Sequence, residues 1–195
     1  MITKAQMEKL VEGGAIERDL QRLLKQDLSV FADMYANPTD EYICFSEFPI
    51  GDTGNVDFAV FTHRSRMSIY LIEVKGANFN LVNQSKETFY TDLLEGIDQI
   101  TRRRDYIERN YSKFCLDVHD IRYKVESNRP QYNSLLCPKG FLNVDAKKDV
   151  NVYCVVIGGR TVHDLEESKK RNTWGRQNSI QLESWDSWLG KVKRS

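Results

Sequence analysis

Asp57, Glu73 and Lys75 are the residues of this chain whose types and spacing are best suited to joint chemistry. They lie in two runs, 55–63 and 68–76, whose apolar and β-branched residues predict strands. Because the link between the runs is short and polar, we expect a hairpin that places Asp57 opposite Glu73 and projects Lys75 from the same face. Directly opposed carboxylates lie roughly 5 Å apart and repel each other. A divalent cation is the simplest partner that would make this patch favourable.

A surface salt bridge is the other interpretation of these three residues. A lysine between two carboxylates on neighbouring strands is an ordinary cross-strand arrangement, and a Glu-x-Lys pair occurs by chance in many sequences. The residues alone leave both interpretations open, and the order of the surrounding elements favours the metal site.

The composition is typical of a globular protein with one domain. The chain has 195 residues, of which 41% are hydrophobic and 29% charged, and this length is sufficient for a core. It shows no apolar run long enough to span a bilayer and no signal peptide, and its four scattered cysteines form no CxxC pair. The sequence therefore argues against a zinc site and a disulfide framework. It predicts a cytoplasmic protein whose histidines, His63, His119 and His163, lie at the surface.

Charge is divided unequally between the two halves of the chain. Residues 1–100 contain 9 Lys+Arg and 16 Asp+Glu, a balance of −7, whereas residues 101–195 contain 19 and 12, a balance of +7. Such a split fits an acidic pocket beside a basic surface, as a metal-dependent nuclease needs. It also fits solvated helix faces that balance each other, and this alternative stays open.

The surrounding pattern predicts a mixed α/β fold, a single domain over residues 1–195 in which helices flank a mixed sheet. Apolar residues spaced by three and four predict helices, and alternating or continuous apolar runs predict strands. The unbroken run 150–157 is typical of a strand buried on both faces, which we place at the sheet centre. The first part of the chain is predicted to contain a helical extension within 1–14, a helix over 15–28, a turn at 37–40 and strands at 42–50, 55–63 and 68–76. A polar loop at 76–90, a helix over 91–113 and an irregular insertion at 115–149, with an edge strand at 121–125, are predicted to follow. After the strand 150–157 we predict a helix over 162–171, a strand at 179–182 and an amphipathic end with Trp185 and Trp188.

This ordered set resembles the core of the PD-(D/E)XK nucleases, a restriction-endonuclease-like α-β-β-β-α-β fold, here with an extra C-terminal helix and strand. The resemblance is carried by a helix bearing Glu17, a strand bearing Asp57, a paired strand with Glu73 and Lys75, a further helix and a buried strand. Within that superfamily the chain is most similar to the Shedu-type nuclease domain (DUF4263) of bacterial anti-phage defence, from about residue 15 to 190. The motifs of that branch are matched by Glu17-Arg18-Asp19-Leu20-Gln21, Gln99, Gly158-Gly159-Arg160 and Trp185-Asp186-Ser187-Trp188-Leu189.

The resemblance implies a metal-dependent endonuclease that hydrolyses DNA phosphodiester bonds. It implies that Mg²⁺, with Mn²⁺ able to substitute, is bound by Asp57, Glu73 and the backbone carbonyl of Val74. Lys75 would then position the attacking water or stabilise charge on the phosphate. Glu17 would complete the metal shell, directly or through a water.

The helix predicted over 91–113 supplies further candidates. Gln99 would orient Lys75 or the scissile phosphate, since it lies away from the apolar stripe of that helix. Arg102, Arg103 and Arg109 would contact backbone phosphates, which would make DNA binding depend steeply on salt. The resemblance also implies a homo-oligomer, a dimer or tetramer, and no membrane partner. Two other roles stay open: a nuclease-like module that binds nucleic acid or a protein without cutting, and a scaffold subunit that assembles through its Trp-rich C-terminus.

Overall fold

A computed structural model describes residues 1–36, 39, 41–83, 85 and 87–194 of the chain. The turn predicted at 37–40 therefore falls largely outside the described residues. Within them the chain forms seven helices and eight strands, and none of these helices has the length and apolar character needed to cross a lipid bilayer. The helices are α1 (Lys4–Glu12), α2 (Glu17–Leu24), α3 (Ser29–Tyr35), α4 (Thr91–Arg109), α5 (Tyr111–Glu126), α6 (Asp164–Asn178) and α7 (Trp185–Lys191). The strands are β1 (Tyr42–Pro49), β2 (Asn55–Thr62), β3 (Ser68–Val74), β4 (Val82–Asn83), β5 (Thr88–Phe89), β6 (Asn133–Leu136), β7 (Asn151–Ile157) and β8 (Ile180–Glu183).

Six of the strands form one mixed sheet in the order β6-β1-β2-β3-β7-β8, which confirms the predicted mixed α/β class. Strand β1 pairs antiparallel with β2 and β6, whereas β7 and β8 are parallel. Strands β4 and β5 form a separate antiparallel pair. The chain divides into two compact units, the first made of Met1–Asp27, Ile72–Ile100 and Cys154–Ser195, the second of Leu28–Leu71 and Thr101–Tyr153.

Capped helices and a tryptophan pair organise the first unit. Helix α1 starts with a capping box, in which the side chain of Thr3 accepts the Gln6 N–H and the Gln6 side chain accepts the Thr3 N–H. It ends at Glu12, and Gly13 is its C-cap. The helix predicted in the N-terminal extension is therefore confirmed. In α7, Trp185 and Trp188 are fully buried, with ring centroids 5.6 Å apart in an edge-to-face arrangement.

Asp27 forms hydrogen bonds within the same unit to two residues that are far apart in sequence, Ile2 and Arg194. Its Oδ2 atom accepts the Ile2 N–H at 3.0 Å and the Arg194 Nη1 group at 2.8 Å. The carboxylate and guanidinium are both largely shielded from water, so this pair is screened less than a surface salt bridge.

The second unit is built on the β1–β2 hairpin, which the sequence predicts correctly. The register places Phe45 opposite Ala59, so alternating side chains of both strands share one face. Phe45 and Phe61 contact each other at a centroid distance of 4.9 Å, and Phe31 of α3 contacts Phe58 at 4.3 Å. Helix α3 therefore covers the hairpin with an aromatic contact.

The single helix predicted over 15–28 is wrong in its length, because the structure has α2 and then α3 there. Helix α2 ends at Leu24, after which the amides of Gln26 and Asp27 bond back only three residues. Apolar residues continue through Phe31, so the periodicity gives no sign of the break. The contacts of Asp27 with the chain ends hold the turn at this point.

The segment predicted as an irregular insertion, 115–149, begins with most of the long helix α5. The edge strand predicted at 121–125 is therefore wrong, since those residues are helical. The helix predicted over 91–113 ends at Arg109, and α5 begins at Tyr111. Strand β6 then pairs with β1 and occupies one edge of the sheet.

The buried side of α5 contains polar residues, which explains why its pattern is hard to recognise. Phe114, Val118 and Val125 are buried at helical spacing, but His119 and Arg122 are buried on the same helix. His119, predicted at the surface, is only 5% exposed, so that prediction is wrong.

Strand β7 lies between β3 and β8, one strand from the edge, and not at the sheet centre as predicted. Its residues 154–157 are buried as expected for an apolar run. Such a run indicates burial on both faces but not a position in the sheet. The predicted polar loop 76–90 contains the short strands β4 and β5, and α6 is longer than the predicted helix 162–171.

Candidate functional site

Strand β3 ends with Glu73 and Val74, Lys75 follows directly, and all three residues are buried. The Lys75 N–H donates to the Ile157 carbonyl at 2.7 Å. The Trp185 indole Nε1–H donates to the Lys75 carbonyl at 2.9 Å. Both the N–H and the carbonyl group of Lys75 are therefore hydrogen-bonded, and these two bonds fix the direction in which its side chain points.

Two glycines leave the space that the Lys75 side chain occupies. A Cβ atom at Gly158 would lie 2.7 Å from the Lys75 Cβ, and a Cβ atom at Gly96 would lie 3.2 Å from its Cγ and Cε. Such separations are shorter than ordinary carbon contacts of about 3.5–4.0 Å. The lysine stem consequently lies against the backbone of β7's end and of α4, and the side chain is only 5% exposed.

The Lys75 ammonium pairs with Glu17, the first residue of α2. Lys75 Nζ lies 3.1 Å from Glu17 Oε2, and Gln21 Nε2 donates to Glu17 Oε1 at 3.1 Å. The position of Glu17 is favourable for a carboxylate, since the N-terminal end of a helix carries partial positive charge. A buried ammonium requires such a partner, because an unpaired charge in the interior is strongly destabilising.

Backbone hydrogen bonds hold the start of α2 beside the end of β3. The Ala77 N–H donates to the Ala15 carbonyl at 2.8 Å, and the Gly159 N–H donates to the Gly76 carbonyl at 2.8 Å. The segment that follows Lys75 is thus bonded on one side to the residues before α2 and on the other to the end of β7. This arrangement brings Glu17 within reach of Lys75.

An ion pair connects the turn after β7 to the start of α7. Arg160 Nε donates to Asp186 Oδ1 at 2.9 Å, and the Thr161 N–H donates to Asp186 Oδ2 at 2.7 Å. Burial alone would raise the pKa of Asp186, but the Arg160 guanidinium and the Thr161 amide hold that pKa below its ordinary value. The contact fixes the start of α7, and with it Trp185, whose indole holds Lys75.

Gln99, expected to orient Lys75 or a phosphate, contacts Glu95 in this structure. Its Nε2 group lies 3.5 Å from Glu95 Oε1, one helical turn away. Its Oε1 atom is buried and has no hydrogen-bond partner among the described residues. Gln99 and Lys75 are thus not hydrogen-bonded to each other within the part of the chain that the structure describes.

Asp57 is the third residue of β2 and belongs to the second unit. It is half-buried, between the fully buried Val56 and Phe58. Its pairing with Glu73 across the predicted hairpin stays a prediction from the sequence.

The three arginines proposed for phosphate contacts lie on the second-unit part of α4 and differ in exposure. Arg102 and Arg109 are exposed. Arg103 is only 7% exposed, and its Nη2 group donates to the Asn55 carbonyl at 2.5 Å. Arg103 therefore supports the start of β2, whereas Arg102 and Arg109 present their side chains to solvent.

The sequence places Gln21, Trp185 and Gly158 in motifs of the family, but it does not predict their contacts with Glu17 and Lys75, and it assigns no role to Gly96. The spacing of Glu17 and Gln21 by one helical turn was a visible signal for the first of these. A buried Trp also needs a partner for its indole N–H, but the sequence does not say which carbonyl accepts it. The two glycines could be recognised only once the path of Lys75 was known.

The residues that could hold a metal ion supply oxygen ligands. The sequence-predicted set is the carboxylates of Asp57 and Glu73 and the carbonyl of Val74, and oxygen donors of this kind suit Mg²⁺. Glu73 is 3% exposed, a degree of burial that favours a cationic partner for its carboxylate. The set therefore fits the ion chemically. Across the described residues there is no group of three or more His, Cys, Asp or Glu side chains arranged to bind a metal.

Comparison with known proteins finds one family model that matches most of the chain. The family model described as Shedu protein SduA, C-terminal, matches residues 14–189. No curated protein and no solved structure matches the chain. The matched range contains Glu17, Lys75 and Trp185, and thus the ion pair and the indole contact described above.

Proposed function

The chain belongs to the Shedu SduA C-terminal family, and on that premise we propose that it is a Mg²⁺-dependent endonuclease that hydrolyses DNA phosphodiester bonds. The family points to a role in anti-phage defence. The observation that carries the proposal is the buried Lys75 ammonium, which follows Glu73 at the end of β3 and lies 3.1 Å from Glu17. An ordinary surface salt bridge would leave both partners in water, whereas this lysine is enclosed.

Three residues would hold the metal ion in this proposal: Asp57, Glu73 and Val74, the last through its carbonyl. Bound there, Mg²⁺ or Mn²⁺ would supply charge neutralisation at the phosphate and a lowered pKa for a coordinated water. The placement of Asp57 beside Glu73 rests on the hairpin argument from the sequence.

Lys75 acts in this proposal as a fixed positive charge beside the scissile phosphate. Its ammonium would stabilise the negative charge that develops on the phosphate oxygens during hydrolysis. Because the side chain is almost fully enclosed, water screens that charge weakly. Gln99 would orient the scissile phosphate, a role we favour over a direct contact with Lys75 because its amide group lies beside Glu95.

Arg102 and Arg109 would contact the DNA backbone, and their exposure supports this role. For Arg103, which bonds to Asn55, we propose support of β2 in place of the phosphate contact expected from the sequence. We further propose that the protein acts in the cytoplasm as a homo-oligomer, a dimer or tetramer. With α3, β4, β5, α5 and β6 as additional elements, the order α2, β1, β2, β3, α4, β7 matches the predicted α-β-β-β-α-β core and supports our proposal that the chain belongs to the PD-(D/E)XK superfamily.

Cleavage of plasmid, linear and single-stranded DNA by the purified protein with Mg²⁺ or Mn²⁺ tests the proposal. Glu73→Gln and Lys75→Met should each lower the cleavage rate by about 100-fold or more, because each removes a charge from the reacting centre. Lys169→Met, which removes an exposed lysine of α6, is the matched control and should cut as the natural protein does. Retention of DNA in a gel-shift assay should persist in all three variants.

Two outcomes would overturn this function. One is a natural protein that leaves every form of DNA intact with either metal; if it still retains DNA, the non-cutting, nucleic-acid-binding module is the better description. The other is a Glu73→Gln variant that folds and cuts at the natural rate.

A further inference from the structure

We infer that Gln21 is a positioning residue, which fixes the Glu17 carboxylate and through it the Lys75 ammonium. The geometry is a chain of two contacts through one carboxylate. Gln21 Nε2 lies 3.1 Å from Glu17 Oε1, and Lys75 Nζ lies 3.1 Å from Glu17 Oε2. The effect on cleavage rests on the proposed function, but the effect on Lys75 does not.

Two contacts on opposite oxygens restrict the Glu17 side chain more than either contact alone. A glutamate has three rotatable side-chain bonds, and a single ion pair leaves the carboxylate free to turn about the last of them. The Glu17 side chain is 40% exposed, so water competes for its oxygens. The Gln21 amide, one helical turn away, occupies the oxygen that does not face Lys75 and thereby holds the other one in place.

Loss of the Gln21 contact with Glu17 matters more than loss of an ordinary pair on a helix surface, because Lys75, which depends on Glu17, is buried. Among the described residues, Lys75 makes an ion pair with Glu17 and with no other carboxylate. If Glu17 turns toward solvent, the enclosed ammonium loses that partner and must itself move toward water. Gln21 therefore controls the position of a charge that it does not touch.

This arrangement also assigns a role to Glu17. Both of its carboxylate oxygens have protein partners, Gln21 and Lys75, so Glu17 serves as the acidic partner of Lys75. Each oxygen has a second lone pair, so this role is compatible with either way, direct or through a water, in which Glu17 would complete the metal shell.

Amine labelling of the free protein tests this inference without any cleavage assay. The rate at which Lys75 reacts with acetic anhydride is measured by peptide mass spectrometry, with the exposed Lys169 as internal reference. In Gln21→Met, which keeps the length of the side chain but removes the donor, the Lys75 rate should rise roughly three- to tenfold, the factor that one lost hydrogen bond allows. Gln26→Met makes the same change at an exposed position after α2 and should leave the rate unchanged.

A second variant separates the loss of the donor from general loosening of the helix. Gln21→Lys restores a donor that can reach Glu17, and Lys75 labelling should return to within about twofold of the natural rate. Equal Lys75 labelling in Gln21→Met and the natural protein overturns the inference, as does failure of Gln21→Lys to restore protection in a folded protein.

Kinetics on DNA give a second readout. In Gln21→Met the kcat for cleavage should fall while KM stays within about twofold, since the contact matters for the reacting charge and not for holding DNA. If the natural protein cuts no DNA, the proposed function fails, yet labelling still decides the role of Gln21. If cleavage occurs and Lys75 labelling does not change, the inference alone fails.

Discussion

A single indole hydrogen bond links the start of α7 to the strand end that carries Lys75. Trp185→Phe keeps an aromatic ring but removes the donor, which leaves the buried Lys75 carbonyl unpaired. We expect the free energy of unfolding to fall by about 1–3 kcal/mol, the usual cost of an unsatisfied buried group. Urea denaturation measures it, with Trp174→Phe, at a half-buried position, as the control. Equal losses in the two variants would show that the Trp185 hydrogen bond contributes little.

His119 makes stability depend on pH. Burial lowers its pKa below the ordinary value of 6.5, the charge of Arg122 lowers it further, and Glu126 and Asp145 act in the opposite direction. The unfolded chain therefore binds the proton more readily than the folded one. The stability that neutral His119 provides is fully present above about pH 6.5 and is lost as pH falls through the lower, folded pKa.

Replacement by a neutral residue should remove this dependence. His119→Gln cannot take up a proton, so its free energy of unfolding should change less than that of the natural protein between about pH 7 and pH 5. Chemical denaturation at a series of pH values provides the comparison. Parallel pH profiles for the two proteins would mean that another group titrates in this range.

At the scale of elements, the close approach of β7's end to β3 depends on Gly158. In Gly158→Ala the added Cβ would lie 2.7 Å from the Lys75 Cβ, a separation that requires one of the two backbones to shift. We expect a loss of about 1–3 kcal/mol in the free energy of unfolding. Gly190→Ala in α7 is the matched control, because its Cβ would meet no atom within 4 Å, and it should be neutral or slightly stabilising. Similar stabilities for both alanine variants would contradict the argument.

Sequence patterns predicted elements well where one periodicity persists between clear ends. Strands β1, β2 and β3 and helix α1 occur close to their predicted positions because polar turns or glycines bound them. Helix α5 was not recognised because buried His119 and Arg122 interrupt its apolar side. The break between α2 and α3 was invisible because Asp27 contacts residues far away in the chain.

In the candidate site, too, local features could be predicted from the sequence, whereas contacts between distant residues could not. The Ile-Glu-Val-Lys run identified Glu73 and Lys75 at the end of a strand, since both the strand and the residue types are local features. The pairing of Lys75 with Glu17 joins residues that are far apart in sequence, and only the family resemblance suggested that they act together. The exposure of Arg102 and the burial of its neighbour Arg103 likewise depend on packing that residue type does not encode.

At the scale of the whole molecule, the formal net charge of zero conceals an acidic and a basic half of the chain. If Arg102 and Arg109 contact DNA phosphates, each contact releases counterions on binding. The double variant Arg102→Gln/Arg109→Gln should lower the slope of log affinity against log salt concentration by roughly 2 units, at about 0.9 per phosphate. Fluorescence anisotropy over a salt series measures the slope.

Arg22→Gln, which removes an exposed arginine of α2, is the control for a general change in net charge. It should leave the slope unaltered. A double variant with the natural slope would assign the phosphate contacts to other residues.

The contacts of Asp27 join two segments that are far apart in sequence. The Ile2 N–H and the Arg194 guanidinium bind the same carboxylate oxygen, so loss of that oxygen would release both segments. We therefore expect these two segments to open together, as one cooperative unit, in hydrogen exchange.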